Sequence, residues 1–228
     1  LCALIGGSAL CAGVPVDQGP LMATLHATAS SIKRSGPERA RLEPDAEAAI
    51  RSFWQEALAY TRTHSGAELD NVRWVIPFRT AHEWMLTYVC RNRAQAEALT
   101  REALATLRAS KPQLSAMAGE LSGDVALTYA YAWMKSDVIG CALMVDETAA
   151  WVASTGDKPA MQAFFAKRIF FDGNSLLCQF QLPDAERKEF CAKRDQRLKQ
   201  CLDNEDFRLR YRTLAVSHWA ECLLSLGR

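Results

Sequence analysis

Apolar residues recur with a period near 3.6 along most of this chain, and this spacing restricts the fold more than any other feature of the sequence. Stripes of this kind lie at about 45–64, 78–91, 93–110, 114–133, 137–154, 184–202 and 205–226. The one strand-like stretch, VRWVIPF at 72–78, contains Pro77, which cannot donate a ladder hydrogen bond. The sequence therefore predicts an all-α fold, an irregular antiparallel bundle of about seven to nine helices.

The stripes also predict which side chains form the core. The expected inward faces are Ala46, Ile50, Phe53, Trp54, Ala57, Leu58 and Thr61; Phe78, His82, Met85, Leu86 and Val89; Leu99, Ala103, Leu104 and Leu107; Leu114, Met117, Leu121 and Val125; Val138, Cys141, Val145, Ala149 and Val152; and Phe207, Tyr211, Leu214, Ala215, Trp219, Cys222, Leu223 and Leu226. On the predicted helix at 114–133, Ser115, Gly119 and Gly123 lie four residues apart. Small residues at this spacing let a neighbouring backbone approach closely, although Gly123 could instead interrupt the helix.

The N-terminus indicates where the protein acts. Residues 1–13 are apolar and uncharged, and the first charge in the chain is Asp17. An apolar run of this length followed by small residues is typical of a signal peptide, so we interpret 1–13 as the remnant of an export signal. The predicted location is periplasmic or secreted. A lipid anchor on Cys11 is a weaker alternative, because the bulky Leu10 precedes it where a small residue is expected.

Composition divides the rest of the chain into two parts. Residues 14–44 contain four of the eight prolines, together with several Gly, Ser and Thr, which favours a flexible N-terminal arm. Residues 45–228 carry the helical stripes and predict a single helical domain. Pro44 suits the first turn of the first helix of that domain.

The charge balance bears on the class of partner. Lys and Arg number 27 and Asp and Glu 26, so the net charge is +1. Binding to nucleic acid needs a concentrated basic face, which the sequence does not show. An uncharged apolar run of about 18 residues is absent as well, so we expect no transmembrane span in the mature chain. The charges between 184 and 212 mix both signs and indicate a solvated face or a surface for another protein.

Six cysteines follow the predicted signal, and an even number in an exported chain indicates disulfides. The candidates are Cys90, Cys141, Cys178, Cys191, Cys201 and Cys222. Cys191 and Cys201 enclose nine residues of one predicted helix, which places them roughly 15 Å apart and too far to bond. Pairs of Cys191 with Cys178 or Cys222 are feasible, and Cys201 would then pair with Cys90 or Cys141. No two cysteines have the spacing of zinc ligands, so we predict no metal and no cofactor.

Motifs for phosphate binding, serine hydrolysis and metalloprotease activity are absent. His82 is the one histidine on a predicted apolar face, and Glu83 follows it. A buried imidazole beside a carboxylate can act as a general base, which makes these two residues weak catalytic candidates. A core histidine that hydrogen-bonds a neighbour is the alternative. Glu83 lies four residues after Arg79, a spacing that predicts a surface ion pair.

One stretch bears a resemblance to a repeat family. AEALTREALATLRASKP resembles the second helix of a tetratricopeptide repeat, through Ala96, Ala103, Leu107 and Pro112. This resemblance implies a helical-repeat scaffold, although the stretch occurs once. The leading hypothesis is a non-enzymatic exported protein that binds another protein, such as an inhibitor or a toxin-neutralising partner. The alternatives are an enzyme that uses His82 with a carboxylate, and the helical-repeat scaffold.

Overall fold

The computed structural model describes residues 19–35, 42–110, 117–157 and 182–203, with single positions between 160 and 175 and positions 220 and 224. Every regular element in these ranges is helical, which confirms the predicted all-α class. The α-helices described are α1 (Pro20–Ser35), α2 (Pro44–Thr63), α3 (Ile76–Trp84), α4 (Arg93–Ala109), α5 (Met117–Trp133), α6 (Val138–Ser154) and α7 (Asp184–Asp203). None of them is both long and apolar enough to cross a membrane. The predicted helix at 205–226 lies outside the described residues, apart from positions 220 and 224.

Helix α3 is extended at both ends by π-helical turns. These turns are Asn71–Val75 and Met85–Val89, and the second closes with a hydrogen bond of 2.9 Å from the Cys90 amide to the Met85 carbonyl. Pro77 is the second residue of α3 and directly follows the first π-helical turn, so the residue without an amide donor lies where the helical hydrogen-bond register changes. The strand-like stretch at 72–78 is therefore helical, and 71–89 forms one continuous helical segment.

Local sequence determines where several helices begin. Pro44 occupies the first turn of α2, as predicted. The Asn92 side chain accepts a hydrogen bond of 3.0 Å from the Gln95 amide at the start of α4. Asp137 accepts one of 2.8 Å from the Gly140 amide at the start of α6. A side-chain cap of this kind stabilises a helix by about 1 kcal/mol, so these starts are encoded within the first turn.

Helix α1 differs from the prediction, because residues 20–35 were expected to belong to a flexible arm. Pro20 is the first residue of α1 and Pro37 follows its end, so the prolines bound the helix and do not interrupt it. Leu21 is 2% exposed and Thr28 is 3% exposed, since α1 packs against α2 and α3. The prolines were interpreted as a sign of a flexible arm, whereas Pro20 begins a helix.

The core contains the side chains that the stripes predicted. Every residue named above on the faces of α2, α4 and α6, and on the segment 71–89, is buried, as are Leu121 and Val125 on α5. Met117 on α5 is only partly buried, and Leu114 lies outside the described residues. Two buried indoles on different helices show how polar atoms enter this core. Trp74 donates from Nε1 to Thr61 Oγ1 at 2.8 Å, whereas Trp54 Nε1 has no hydrogen-bond partner. The 3.6-residue period therefore predicts burial correctly, but it does not predict hydrogen-bond partners.

The helices pack in chain order. Helix α1 contacts α2 and α3, α2 contacts α3 and α4, α3 and α4 contact α5, and α5 contacts α6. Helical residues between 160 and 175 then contact α5 and α6, through Lys167 with Glu120 and Arg168 with Asp146. In the described part of the chain, extensive contacts therefore join helices that are neighbours or next-but-one neighbours.

Two glycines on α5 permit the closest of these approaches. A Cβ atom on Gly119 would lie 2.6 Å from the Cβ of Ala160, and one on Gly123 would overlap the ring of Phe164. Helix α5 continues through both glycines, so Gly123 does not interrupt it. The predicted role of small residues is confirmed for these two positions, while Ser115 lies outside the described residues.

We expect Gly123→Ala to destabilise the protein by about 1–3 kcal/mol, because the added methyl group meets the Phe164 ring. Alanine favours an exposed helix over glycine by about 1 kcal/mol, so the opposite sign would result if α5 had free space here. Midpoints of urea denaturation measure the difference. The double variant with Phe164→Leu serves as the control, and additive effects of the two substitutions would contradict the proposed contact.

Candidate functional site

His82 lies in α3 with no exposed surface. Its Nε2 atom is 3.1 Å from Thr100 Oγ1, and the Thr100 hydroxyl donates to the Ala96 carbonyl at 2.8 Å. Because that hydroxyl has a single proton, the imidazole donates through Nε2–H and keeps Nδ1 as an acceptor. Nδ1 has no hydrogen-bond partner, and the Trp54 ring lies 5.8 Å away between centroids. The imidazole is thus held as one neutral tautomer.

The surroundings of His82 do not provide a carboxylate. Burial lowers the pKa of His82 to about 3, since a charged imidazole would lose its hydration. Glu83 is exposed, and among the described side chains no Asp or Glu bonds to the imidazole. The predicted Arg79–Glu83 pair does not form, because Arg79 Nη1 lies 3.6 Å from Asp124 Oδ2. The structure therefore does not bring the two catalytic candidates together.

The cysteine candidates occupy separate places. Cys90 is half-buried, whereas Cys141 and Cys191 are buried, and no disulfide joins these described side chains. Cys191 and Cys201 lie on the one continuous helix α7, so helix geometry keeps them roughly 15 Å apart. Cys178 and Cys222 lie outside the described residues. The pairings that use them stay predictions. Within the same ranges, no cluster of three or more His, Cys, Asp or Glu side chains is arranged for a metal ion.

A buried ionic cluster connects α7 to the helical residues before it. Asp172 is 3% exposed, and its carboxylate lies 3.6 Å from Arg168 Nε and 3.7 Å from Arg194 Nε. Arg194 Nε also donates to Ser175 Oγ at 2.8 Å, and Arg168 pairs with Asp146 on α6. These pairs of opposite charge join α6, α7 and the helical residues between them, so the cluster holds these elements together.

An open cleft lies between α1 and the helical segment 71–89. It has a volume of about 320 Å³ and is lined by Ala29, Ile32, Lys33, Trp84 and Tyr88. On each helix the lining residues are three or four positions apart, so they share one face. The cleft is therefore formed by the packing of two helices that are separated by α2 in the chain.

The chemistry of the cleft combines an apolar surface with unused donors. Trp84 packs on the fully buried Phe53 at 5.9 Å between ring centroids, which fixes the indole against the core. Lys33 Nζ, Trp84 Nε1 and Tyr88 Oη have no hydrogen-bond or ion-pair partner among the described residues. No acidic residue lines the cleft. This arrangement can accept an apolar group that carries negative charge or carbonyl oxygens.

Sequence reasoning did not identify this cleft. Ile32 and Lys33 were assigned to the flexible arm, so they were not considered as part of a folded surface. Trp84 and Tyr88 lie four positions apart, directly beside the predicted core face of α3, which was a usable signal. Their second wall comes from a helix some 50 residues earlier, and a local pattern does not contain that information.

Comparison of the chain with protein-family models, with curated proteins and with solved structures finds no significant match. The geometry of the described residues is therefore the basis for the functional argument. The cleft, the ionic cluster and His82 are the chemically distinct places in it. Of these three, only the cleft is open to solvent, which makes it the candidate functional site.

We expect His82 to make the protein sensitive to acid. Its pKa is about 3 in the folded chain and about 6.5 in the unfolded chain, so the unfolded state binds one more proton between these values. The buried neutral His82 therefore makes its full contribution to the free energy of unfolding above pH 6.5. As the pH falls from 6.5 towards 3, this free energy decreases by up to about 1.4 kcal/mol per pH unit. Urea denaturation at pH 7.0, 6.0 and 5.0 measures the slope.

His82→Gln should flatten this slope, because glutamine does not titrate. The same substitution at the exposed His26 is the matched control and should leave the slope unchanged. Equal slopes for the wild type and His82→Gln would show that the imidazole is not buried in its neutral form.

We expect Asp172→Asn to destabilise the fold by about 3–5 kcal/mol, since two buried guanidinium groups lose the carboxylate that faces them. Asp184→Asn is the control. Asp184 also pairs with an arginine, Arg187, but its side chain is 82% exposed, so the loss should stay below about 1 kcal/mol. Thermal and urea unfolding compare the two, and similar losses would contradict the buried cluster.

Proposed function

We propose that this chain is an exported, non-enzymatic helical protein that acts by binding another protein, such as an inhibitor or a toxin-neutralising partner. The observation that carries the proposal is the cleft between α1 and the segment 71–89. It combines two half-buried aromatic side chains, Trp84 and Tyr88, with three polar groups that have no partner within the described chain. Trp and Tyr are enriched among the residues that contribute most to protein interfaces.

The size of the cleft supports a protein partner over a small molecule. Its 320 Å³ lies at the lower end of the range for small-molecule sites, which usually enclose most of the ligand surface. This cleft is open, so it has room for one large side chain while the rest of the partner stays outside. Further contacts on the surrounding helix surfaces would then supply the remaining affinity.

The proposed location rests on the N-terminal sequence. Residues 1–13 have the length and composition of a signal-peptide apolar region followed by small residues, and they lie outside the described part. An exported protein meets partners in the periplasm or outside the cell. The six later cysteines suit that compartment, because disulfides persist there.

A helical-repeat scaffold is a second candidate, and the packing order favours it. Contacts of α1 with α3, α2 with α4 and α3 with α5 join three of the helices to the next but one. Stacked helix pairs produce this pattern, since each repeat touches only its neighbours. Helices α1 and α3 would then lie in one layer, and the cleft would lie on the face of that layer. This candidate also acts by binding protein, so it shares the same test.

We expect the tagged chain, purified from its native source, to co-elute with one dominant protein partner. The control is the variant Ile139→Ser/Leu143→Ser, which makes an exposed apolar pair on the outer face of α6 polar. Ile139 is 42% exposed and Leu143 is 53% exposed. Size-exclusion chromatography with mass spectrometry identifies the partner. A chain that persistently elutes alone under native conditions would contradict the proposed function.

The same purified sample tests the export part of the proposal. Intact mass before and after reduction gives the mature N-terminus and the number of disulfides together. We expect loss of the residues around 1–13 and a mass gain on reduction and alkylation at the bonded cysteines. A chain that keeps this N-terminus and alkylates fully without reduction would argue against export and against disulfides.

A further inference from the structure

We infer that the α1–α3 cleft, lined by Ala29, Ile32, Lys33, Trp84 and Tyr88, takes an acidic segment of the partner protein that inserts an apolar side chain. This inference rests on the proposed function and names the chemistry of its partner. Three properties of the cleft support it: the apolar floor, the sign of the charge at the rim, and the donors that have no partner.

The floor of the cleft suits an aliphatic or aromatic anchor. Ile32 and Trp84 are partly buried and pack against the main core, and Trp84 rests on Phe53, which is fully buried. A surface supported in this way does not collapse when it is empty, so little ordering of side chains is needed on binding. Burial of one leucine or phenylalanine side chain against it is favourable because apolar surface leaves water.

The one charged side chain that lines the cleft is basic. Lys33 has no carboxylate partner among the described residues, and Arg34, which follows it in the chain but does not line the cleft, hydrogen-bonds to the Ser31 hydroxyl at 3.0 Å. Most other arginines in the described chain lie beside an Asp or Glu, as Arg51 lies beside Glu47 at 2.8 Å. Lys33 and Arg34 lie in the last turn of α1, where positive charge interacts favourably with the helix dipole. That interaction does not neutralise either side chain. A partner with carboxylates beside its anchor would pair with them.

The donors extend this charge preference into the cleft. Trp84 Nε1 is a donor only, and Tyr88 Oη can donate as well as accept. Neither bonds to a described residue, so both are available to carboxylate or backbone carbonyl oxygens. Together with the Lys33 ammonium they are three donors carried by residues that line the cleft. That set is complementary to an acidic peptide and not to a basic one.

The backbone at this place has an uncommon form. Tyr88 belongs to the π-helical turn Met85–Val89, and Trp84 immediately precedes it. Such turns are rare in α-helices and occur frequently at functional sites, since they change the direction in which side chains project. The turn therefore agrees with the placement of both aromatic side chains at a binding surface.

A capped peptide of sequence Gly-Asp-Leu-Phe-Asp-Gly tests the inference on the purified full chain. The matched peptides carry Asn at both acidic positions, or Ala at both apolar positions. The readout is the shift of the Trp84 indole N–H signal in ¹H–¹⁵N spectra, assigned with Trp84→Phe. We expect the acidic peptide to bind at least about fivefold more tightly than either matched peptide, with the advantage over the Asn peptide shrinking as salt is added.

Variants locate the interaction. Lys33→Gln should abolish the preference for the acidic peptide, a change of about fivefold, since it removes the ammonium and keeps the length of the side chain. Tyr88→Phe removes only the hydroxyl and should weaken binding about twofold to tenfold. Leu143→Ala on α6 is the matched surface control and should change nothing. Circular dichroism confirms that each variant is folded.

Several outcomes would overturn the inference. Equal binding of the acidic and Asn peptides, or an unchanged preference in Lys33→Gln, would exclude charge recognition by this cleft. Tighter binding of decanoate than of the peptide would identify a site for small amphiphiles. A native partner that co-elutes equally with Lys33→Gln and Tyr88→Phe would refute this cleft while leaving the proposed function intact. Absence of any co-eluting partner for the unsubstituted chain would refute the proposed function itself.

Discussion

The close packing of helices around α5 is the constraint on which the rest of this structure depends. Helix α5 buries residues on all of its sides, so it needs neighbours in every direction. Helices α3, α4 and α6 supply three of them, and the helical residues Ala160 and Phe164 supply the fourth. The approach of the fourth neighbour is possible only because Gly119 and Gly123 have no side chain. The positions of α3, α4 and α6 relative to one another follow from how they enclose this one helix.

Two polar groups buried in this packing, His82 and Asp172, avoid the cost of an isolated charge in different ways. His82 is kept neutral, because burial lowers its pKa to about 3 and Thr100 Oγ1 accepts its one ring proton. Asp172 is kept near Arg168 and Arg194, so its charge is compensated by opposite charges at 3.6 and 3.7 Å. In a medium of low polarity a group must either lose its charge or find a partner. Both groups are therefore accommodated within the fold, whereas in the open cleft three donors have no partner among the described residues.

Much of the fold could be predicted from local sequence, and the errors have identifiable causes. Helices α2, α4, α6 and α7 lie within a few residues of their predicted bounds, since caps and the first proline act within one turn. Helix α1 was missed because prolines at its two ends were interpreted as signs of disorder. The pair Arg79–Glu83 was expected from spacing alone, yet Arg79 contacts Asp124 on α5, because another helix brings a carboxylate within reach. The candidate site was missed for the same reason, as Lys33 and Tyr88 are distant in the chain.

The sequence by itself determined the all-α class, the inward face of each helix and the glycine positions where helices come closest. These properties depend on the period of apolar residues and on neighbours within a few positions, and both can be identified directly from the sequence. Only the tertiary structure decided which helix faces which, that no described Asp or Glu bonds to the His82 imidazole, and that Ile32, Lys33, Trp84 and Tyr88 line one cleft. Contacts between distant residues depend on the simultaneous packing of many side chains, and no local pattern encodes that arrangement.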